Sequence, residues 1–434
     1  MIDDLLAEVC ASTDTPGAVV GVSYDGQVSV TAHGVLSRRT GSPVRSDSVF
    51  QVGSVTKPFT ATLVAQLAAE GRLSLDTTVA ELLPGVHLGV DDRSERVTVR
   101  HLLTHTSGID GDLFTDTGRG DDAVARYVDL LADAAVVHEP GAVYSYCNSG
   151  FVVLGRIVEV LDDTTWDDAL RHRLTEPLGL DDVVTLPEQA ILRGAAVGHE
   201  RGGQVREWAL PRSVGPAGTV VTTAADLLGL VRPWLDGSSG GTLAHMADPL
   251  VPIPDGSDLG SVGWGWRVGS WGGHQVLGHS GMTLGQSTTL RVVPSLGLAV
   301  CVLTNSEQAD AVHQLVVPHV VSELTGVLVP PPAGPDPAAA PTGLARHLGT
   351  YVRRAARYDV VDDDGALRLT ATPTGDLAGH DAVEHHVLVP RDDTGDAFVR
   401  RSADTDPWST VTFGSMPDGT AMLFAQGRVA VAEA

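Results

Sequence analysis

Lysine is all but absent from this chain of 434 residues: Lys57 is the only one, and every other permanent cation is an arginine. Basic residues number 29 against 54 acidic ones, a formal net charge of −25. That charge argues against nucleic acid and anionic membrane as partners. Cysteine is equally sparse. Cys10, Cys147 and Cys301 are odd in number and widely spaced, which fits a reducing compartment and makes no zinc pattern. No run approaches the roughly 18 consecutive apolar residues of a spanning helix. The first residues, Met1-Ile2-Asp3-Asp4, lack the basic start and apolar centre of a secretory signal. A cytoplasmic protein is therefore expected. The histidines form no His-Glu-x-x-His cluster, and neither a P-loop nor a dinucleotide fingerprint occurs. No metal and no cofactor is expected, and His385-His386 reads as a structural or surface pair.

The length suggests two domains, one of them large, and 43% apolar content is ample for a sizeable core. A helix near 2–11 leads to β-rich runs at 17–24 and 27–32 across the turn Asp25-Gly26, which read as a hairpin. Helical patterns follow after Ser54, around 98–106, 122–134, 149–162 and 224–235. Strand patterns return at 264–268, 274–277, 286–293 and 298–304, and a helix near 309–324 closes the unit. Strands at both ends with helices between predict an α+β domain whose terminal segments share an antiparallel sheet. The Pro/Ala-rich stretch 328–341 reads as a semi-rigid linker. Short strands with turn signals after it predict a small antiparallel barrel or sandwich. The expected organisation is 1–327, a linker at 328–341, and 342–434.

Why one lysine should survive is a chemical question. Arginine keeps its proton in a protein, whereas a partly buried amine can be driven neutral and act as a base. Lys57 lies three residues after Ser54, and at a helix start such positions share a face, so nucleophile and base can meet. Gly53 permits a tight turn ahead of a helix whose apolar spacing predicts burial. A surface lysine that survived by chance is the competing reading. Tyr146-Cys147-Asn148 precedes another helix; its phenol and amide point into a cleft, or else form a buried tyrosine and a capping asparagine. Gly278-His279-Ser280-Gly281-Met282 reads as a glycine-rich connection between strands, with His279 able to hydrogen-bond or transfer a proton.

Ser-x-x-Lys, Tyr-x-Asn and His-Ser-Gly, in this order, resemble the serine β-lactamase and penicillin-binding-protein superfamily, on the class C side. The segments 99–109 and 218–227 also look like hallmarks of that family, within which His105 reads as a structural turn residue. The resemblance implies a β-lactamase-like domain with Ser54 as the acylated nucleophile, Lys57 as its base and Tyr146 as the proton shuttle. It implies that Asn148, His279, Ser280 and Gly281 hold substrate, and that the backbone N–H groups of Ser54 and Met282 form the oxyanion hole. Two departures stand out. Cys147, read as a small filler, replaces the commoner serine or alanine. His279 stands where the β-lactamases of this group keep a lysine, which removes a fixed cation for a β-lactam carboxylate.

A member without a signal peptide and with a carboxyl-terminal β domain is similar to the penicillin-binding-protein-type thioesterases, which release and cyclise peptides and carry a lipocalin-like tail. In those cyclases an arginine near the terminus reads a substrate carboxylate; Arg428 is the matching position, unless it is an exposed strand arginine. The resemblance therefore implies a serine acyltransferase passing an acyl group from an ester or thioester to an amine, with a carrier protein as a further candidate partner. A plain hydrolase (esterase, D-amino-acid peptidase or weak β-lactamase) is the alternative. A non-catalytic ligand-binding protein on the same fold is a third, disfavoured by intact Ser54, Lys57 and Tyr146.

Overall fold

The computed structural model describes residues 2–200, 203–375, 382–403 and 406–433. An eight-stranded antiparallel sheet carries the larger part. Its order runs from Gln27–Gly34 through Gly17–Tyr24, Leu298–Thr304, Gln286–Val293, His274–Thr283, Arg267–Trp271 and Ser261–Val262 to Val251–Pro252. The hairpin forms as its turn dictates: Asp25 and Gly26 both take positive φ, 50° and 74°, the geometry that matches strand twist. The beginning and end of this unit meet in the sheet, with Ala18 paired to Thr304 and Tyr24 to Leu298. Leu298–Thr304 is buried along its whole length. The helices Ile2–Ser12 and Asp310–Thr325 cover one face of the sheet, and the helix Ala224–Leu235 lies on the other.

The helix Thr56–Ala69 is apolar all round and buried nearly throughout, as expected of a helix enclosed by others rather than laid on a surface. It packs against Asn148–Asp162 and the short helix Gly215–Gly218. Three sequence expectations shift. The strand expected at 264–268 is Arg267–Trp271, because Gly265 turns at φ +71°. The expected helix 122–134 is Ala123–Asp129 followed by a 3₁₀ turn, Leu130–Asp133. The segment 278–282 is not a connection: it is the second half of the strand His274–Thr283, and the turn comes after it, where Gly285 takes φ +66°. Gly278 and Gly281 serve close packing. A Cβ at Gly278 would lie 2.9 Å from Arg291 Cδ, and one at Gly281 would lie 2.0 Å from the Val52 carbonyl oxygen.

Beyond the proline-rich stretch, eight strands from Gly349–Arg353 to Arg428–Ala432 close into an antiparallel barrel. Closure leaves no unpaired edge. Tyr351, Tyr358, Leu367, Leu369, Phe398, Phe413 and Leu423 form one buried cluster, so the interior is filled rather than hollow. The barrel seats on the larger unit through a second apolar cluster in which Met416, Met422, Phe424 and Val429 meet Tyr144, Ile253 and Val262. Hydrogen bonds across the contact include Tyr146 N–H to the Gly427 carbonyl at 2.9 Å and Val429 N–H to Ser145 Oγ at 3.2 Å.

Because Phe398 is fully buried in the barrel core, Phe398→Ala should lower barrel stability by about 3–5 kcal/mol. Denaturation followed through Trp408, the only tryptophan after Trp271, checks this; an unmoved midpoint would refute a close-packed interior.

Candidate active site

Ser54 sits in the 3₁₀ turn Gly53–Val55 that runs into the helix Thr56–Ala69. Gly53 holds φ +52°, and a Cβ there would stand 2.6 Å from the Met282 carbonyl oxygen and 2.7 Å from its nitrogen. A Cβ at Gly281 would be 2.6 Å from Ser54 N. Two glycines thus let the start of the helix and the strand His274–Thr283 touch backbone to backbone. The N–H groups of Ser54 and Met282 consequently belong to one small region at the mouth of the helix.

Lys57 is completely buried. Its Nζ lies 2.9 Å from Ser54 Oγ, 2.9 Å from Asn148 Oδ1 and 2.8 Å from the Ala217 carbonyl oxygen. The last two atoms can only accept. A neutral amine has two hydrogens, and both are committed to them, which leaves the lone pair facing the Ser54 hydroxyl. Burial, reinforced by the Arg428 guanidinium and opposed by Asp112 and Cys147, holds the amine well below the usual lysine range. The geometry therefore puts the Ser54 hydroxyl within hydrogen-bond distance of an amine that, in its neutral form, can take the hydroxyl proton.

Tyr146 adds a phenol within hydrogen-bond reach of Ser54, and burial raises its pKa so that it keeps its proton. Its ring is clamped. His105 stacks on it at 4.3 Å between centroids, Lys57 Nζ lies 4.8 Å from its centroid, and Arg428 Cζ lies 5.0 Å from it. His105 itself takes φ +56° and accepts the Cys147 N–H on Nδ1 at 3.0 Å. It is a turn residue, and it also fixes the tyrosine. Cys147 does more than fill space: it is the N-cap of the helix Asn148–Asp162, its Sγ accepting the Gly150 N–H at 3.3 Å. Asn148 is thus the first helical residue and not the cap.

His279 is buried and donates Nδ1–H to the Ser280 carbonyl at 2.8 Å. Burial and the neighbouring Lys57 push its pKa down to about 3, so it is neutral and its Nε2 remains an acceptor. Ser280, the next residue along the strand, turns its hydroxyl to Thr289 Oγ1 at 3.0 Å and Arg291 Nη1 at 3.3 Å. Ser54, Tyr146, Asn148, His279, Ser280, Gly281, Met282 and Arg428 all line one cleft of about 880 Å³. Its walls include an apolar stretch, Leu210, Pro211, Val214 and Ala217, with a partly exposed Phe114. The barrel contributes Gln426, Gly427 and Arg428.

Arg428 is no exposed strand arginine. Its Nη2 donates to Asp112 Oδ1 at 2.8 Å, its Nε lies against Asp112 Oδ2, and its Nη1 donates to the Gln426 carbonyl at 2.9 Å. Asp112 went unnoticed in the sequence. Buried itself, it also receives Arg353 Nη1 at 3.1 Å and Asn148 Nδ2–H at 3.1 Å. The one available signal was the pair of acids in Asp110-Gly111-Asp112, directly after the hallmark segment that ends at Ile109. Among the described residues no group of three or more His, Cys, Asp or Glu side chains is placed to hold a metal, and no helix is long and apolar enough to cross a membrane.

The family model for beta-lactamases matches residues 2–320. Penicillin-binding protein 4 of Amycolatopsis lactamdurans is 43% identical over 355 residues, covering 78% of this chain and 93% of that protein. Esterase EstB of Burkholderia gladioli is 35% identical over 181 residues, 38% of this chain and 46% of its own. Among solved structures, SurE superposes with a TM-score of 0.81 at 30% identity, over 100% of this chain and 98% of its own, barrel included. The D-amino acid amidase of Ochrobactrum anthropi shares the fold of the larger unit, with a TM-score of 0.62 at 24% identity over 73% of this chain and 97% of its own. The chain belongs to the beta-lactamase family of serine enzymes, whose relatives here include hydrolases, esterases and amidases.

The electrostatics set a pH profile for the reaction of Ser54 with a fluorophosphonate. The rate should rise once, as Lys57 loses its proton, and reach its plateau far below the 10.5 of an ordinary lysine. His279, near 3, and Tyr146, raised above 10, should add no limb between pH 5 and 9. A second limb in that range, beside the single rise assigned to Lys57, would show that another group such as His279 titrates as well.

Proposed function

We propose that this beta-lactamase-family enzyme is a serine acyltransferase that forms an acyl-enzyme at Ser54 and passes the acyl group to an amine. The observation that carries the reading is the buried amine of Lys57, with both its hydrogens committed elsewhere and its lone pair left for the Ser54 hydroxyl. In the first step the Ser54 proton moves to Lys57 Nζ while Oγ bonds to the carbonyl carbon of the donor ester or thioester. The N–H groups of Ser54 and Met282 receive the oxyanion, a contribution of about 2.7–4 kcal/mol per donor in such sites. The leaving oxygen or sulfur departs with a proton relayed from Lys57 through Tyr146. In the second step an amine attacks the acyl carbon; its proton passes to the Tyr146 hydroxyl as that hydroxyl hands its own to neutral Lys57, which returns a proton to Oγ. The amide forms, the Ser54 ester bond breaks, and Oγ regains its hydrogen.

Transfer rather than hydrolysis is favoured by what surrounds the nucleophile. Water competes with any amine, so the acceptor must be held close while solvent is kept out. The apolar wall Leu210, Pro211, Val214 and Phe114 suits an apolar acyl side chain. The barrel turn at Gln426 and Gly427 faces it across the cleft, and a second body lining an active site suits a two-substrate reaction. A carboxylate on either substrate would have to compete with Asp112 for Arg428, whose fork is already engaged. The reaction class proposed is amide formation or peptide macrocyclisation from an activated ester, with a small free ester or a carrier-bound thioester as donor. The named esterase among the relatives favours a plain hydrolase as the second reading.

Intact mass after incubation with activated esters, followed by competition between an amine and water, separates the two. Amide should dominate at millimolar amine; acid alone, whatever the amine, would establish the hydrolase. Ser54→Ala should abolish the adduct. Lys57→Arg should be nearly as damaging as Lys57→Ala, since arginine cannot surrender its proton, and turnover near the wild-type rate would remove Lys57 from the base role. Benzylpenicillin should be a poor substrate because position 279 carries no cation; efficient hydrolysis would restore a β-lactamase reading.

A further inference from the structure

We propose that Asp112 is the positioning residue that orients the proton acceptor of this site, and that the barrel holds it ready for that task. The inference rests on the reading of Lys57 as the base. The argument concerns a carboxamide, which can face its neighbours in either of two ways. Lys57 needs an acceptor from Asn148, and only Oδ1 can serve. An ionised carboxylate has nothing to donate, so Asp112 can only take a hydrogen from Nδ2. With Asp112 on one side the amide has a single arrangement: Nδ2–H to Asp112, Oδ1 to Lys57. Both hydrogens of the neutral amine are then used by Asn148 and Ala217, and the lone pair is left for Ser54. Were the amide reversed, an N–H of Asn148 would face the amine, compete for that lone pair and draw it away from the nucleophile.

The arrangement requires Asp112 to stay ionised although it is buried. Burial alone would raise its pKa, but Arg428, Arg353 and the Asn148 amide together hold it below the usual carboxylate range. Both arginines belong to the barrel, on the strands Gly349–Arg353 and Arg428–Ala432 that pair to close it. Arg353 Nη1 and Arg428 Nη2 approach different oxygens of the carboxylate, at 3.1 and 2.8 Å. A chain of contacts therefore runs from the closing seam of the barrel through Asp112 and Asn148 to Lys57. The barrel acts on the proton transfer without touching the reacting atoms.

The composition makes the test direct. With one lysine and only two asparagines, Asn148 and Asn305, selective isotope labelling gives a single lysine titration and two side-chain amides in the full-length protein. The groups around Lys57 are Arg428 from the barrel, Asp112, Tyr146 and Cys147 ahead of the helix Asn148–Asp162, His105, and His279 from the sheet. Asp112→Asn removes a negative charge, so the Lys57 pKa should move down; Arg428→Gln removes a positive one, so it should move up. At a pH where the lysine resonance shows a neutral amine, Asp112→Asn should still slow fluorophosphonate labelling of Ser54 on the order of 100-fold, the scale of a misplaced reacting group. Opposite shifts in titration, and a rate loss with the base neutral, are not what a packing defect produces. Labelling within about twofold of wild type in a folded Asp112→Asn protein would overturn the proposal. Should that variant not fold, the wild type decides: one Asn148 Nδ2 proton should be protected from exchange, and exchange of both at the rate of exposed carboxamides overturns it. Full labelling of Lys57→Ala would instead remove the reading on which the proposal rests, so the two failures are distinguishable.

Discussion

The active site depends on keeping one amine free of its proton. Burying a charged ammonium without a partner costs several kcal/mol even after relaxation, and an isolated amine answers by losing the proton instead. Lys57 is in that position: fully buried, with two uncharged oxygen acceptors and a cation nearby. The apolar helix that carries it and the carbonyl of Ala217 make this environment dry and fixed. An arginine at the same place would stay charged and bind the serine oxygen as a donor only. The rest of the chain uses arginine for its permanent cations, and the residue proposed as the base is the one that is not arginine.

What the sequence could reveal follows from how far apart the interacting residues lie. Ser54 and Lys57 are three residues apart, and Tyr146 and Asn148 are two, so local spacing placed each pair on its element. The shared sheet was legible because Leu298–Thr304 is a continuous apolar run while the hairpin announces itself with Asp25-Gly26. His279 is legible, but its setting is not: glycines at 278 and 281 read as a connection between strands, whereas they thin a strand, Gly281 for the backbone of Val52 and Ser54 and Gly278 for the side chains of Leu259 and Arg291. Trp264 misled in the same way, with Gly265 bending the chain just before the real strand. Asp112 was invisible for a different reason. Its partners are Asn148, Arg353 and Arg428, up to 316 positions away along the chain, and no periodicity or spacing links residues that meet only when two units dock.

The barrel shows the same division. Its strands were readable from alternating apolar residues and turn glycines, yet nothing local indicated which of its sides faces the cleft. The interior is filled by aromatic and aliphatic side chains, so its chemistry lies outside. It presents the turn between its last two strands, where Gln426 and Gly427 take φ of 53° and 77°, and this turn fastens to the Tyr146 backbone. The reason for glycine at 427 is conformational: its φ is positive, while a Cβ there would make only an ordinary contact, 3.8 Å from that of Tyr146. The contact places a hairpin of paired strands beside the phenol proposed to carry the proton.

A wall of paired strands at that position bears on which nucleophile the proposed reaction would admit. A lid that opens and closes admits water with every cycle, whereas this wall is built of strands hydrogen-bonded to one another. The cleft is then divided by permanent features: an apolar side formed by Leu210, Pro211 and Val214, and a polar side formed by Tyr146, His279 and Arg428. With His279 neutral and Arg428 matched to Asp112, the polar side offers hydrogen bonds more than net charge. In the proposed transfer an incoming amine would have to reach the acyl carbon as the uncharged free base. A strongly negative wall would favour its protonated, unreactive form, and a wall carrying an unmatched cation would favour a carboxylate. Asp112 keeps the Arg428 guanidinium from standing as a free cation beside Tyr146, so in the proposed reaction an uncharged acceptor meets hydrogen-bonding groups there, and Lys57 is the group left to decide when the serine reacts.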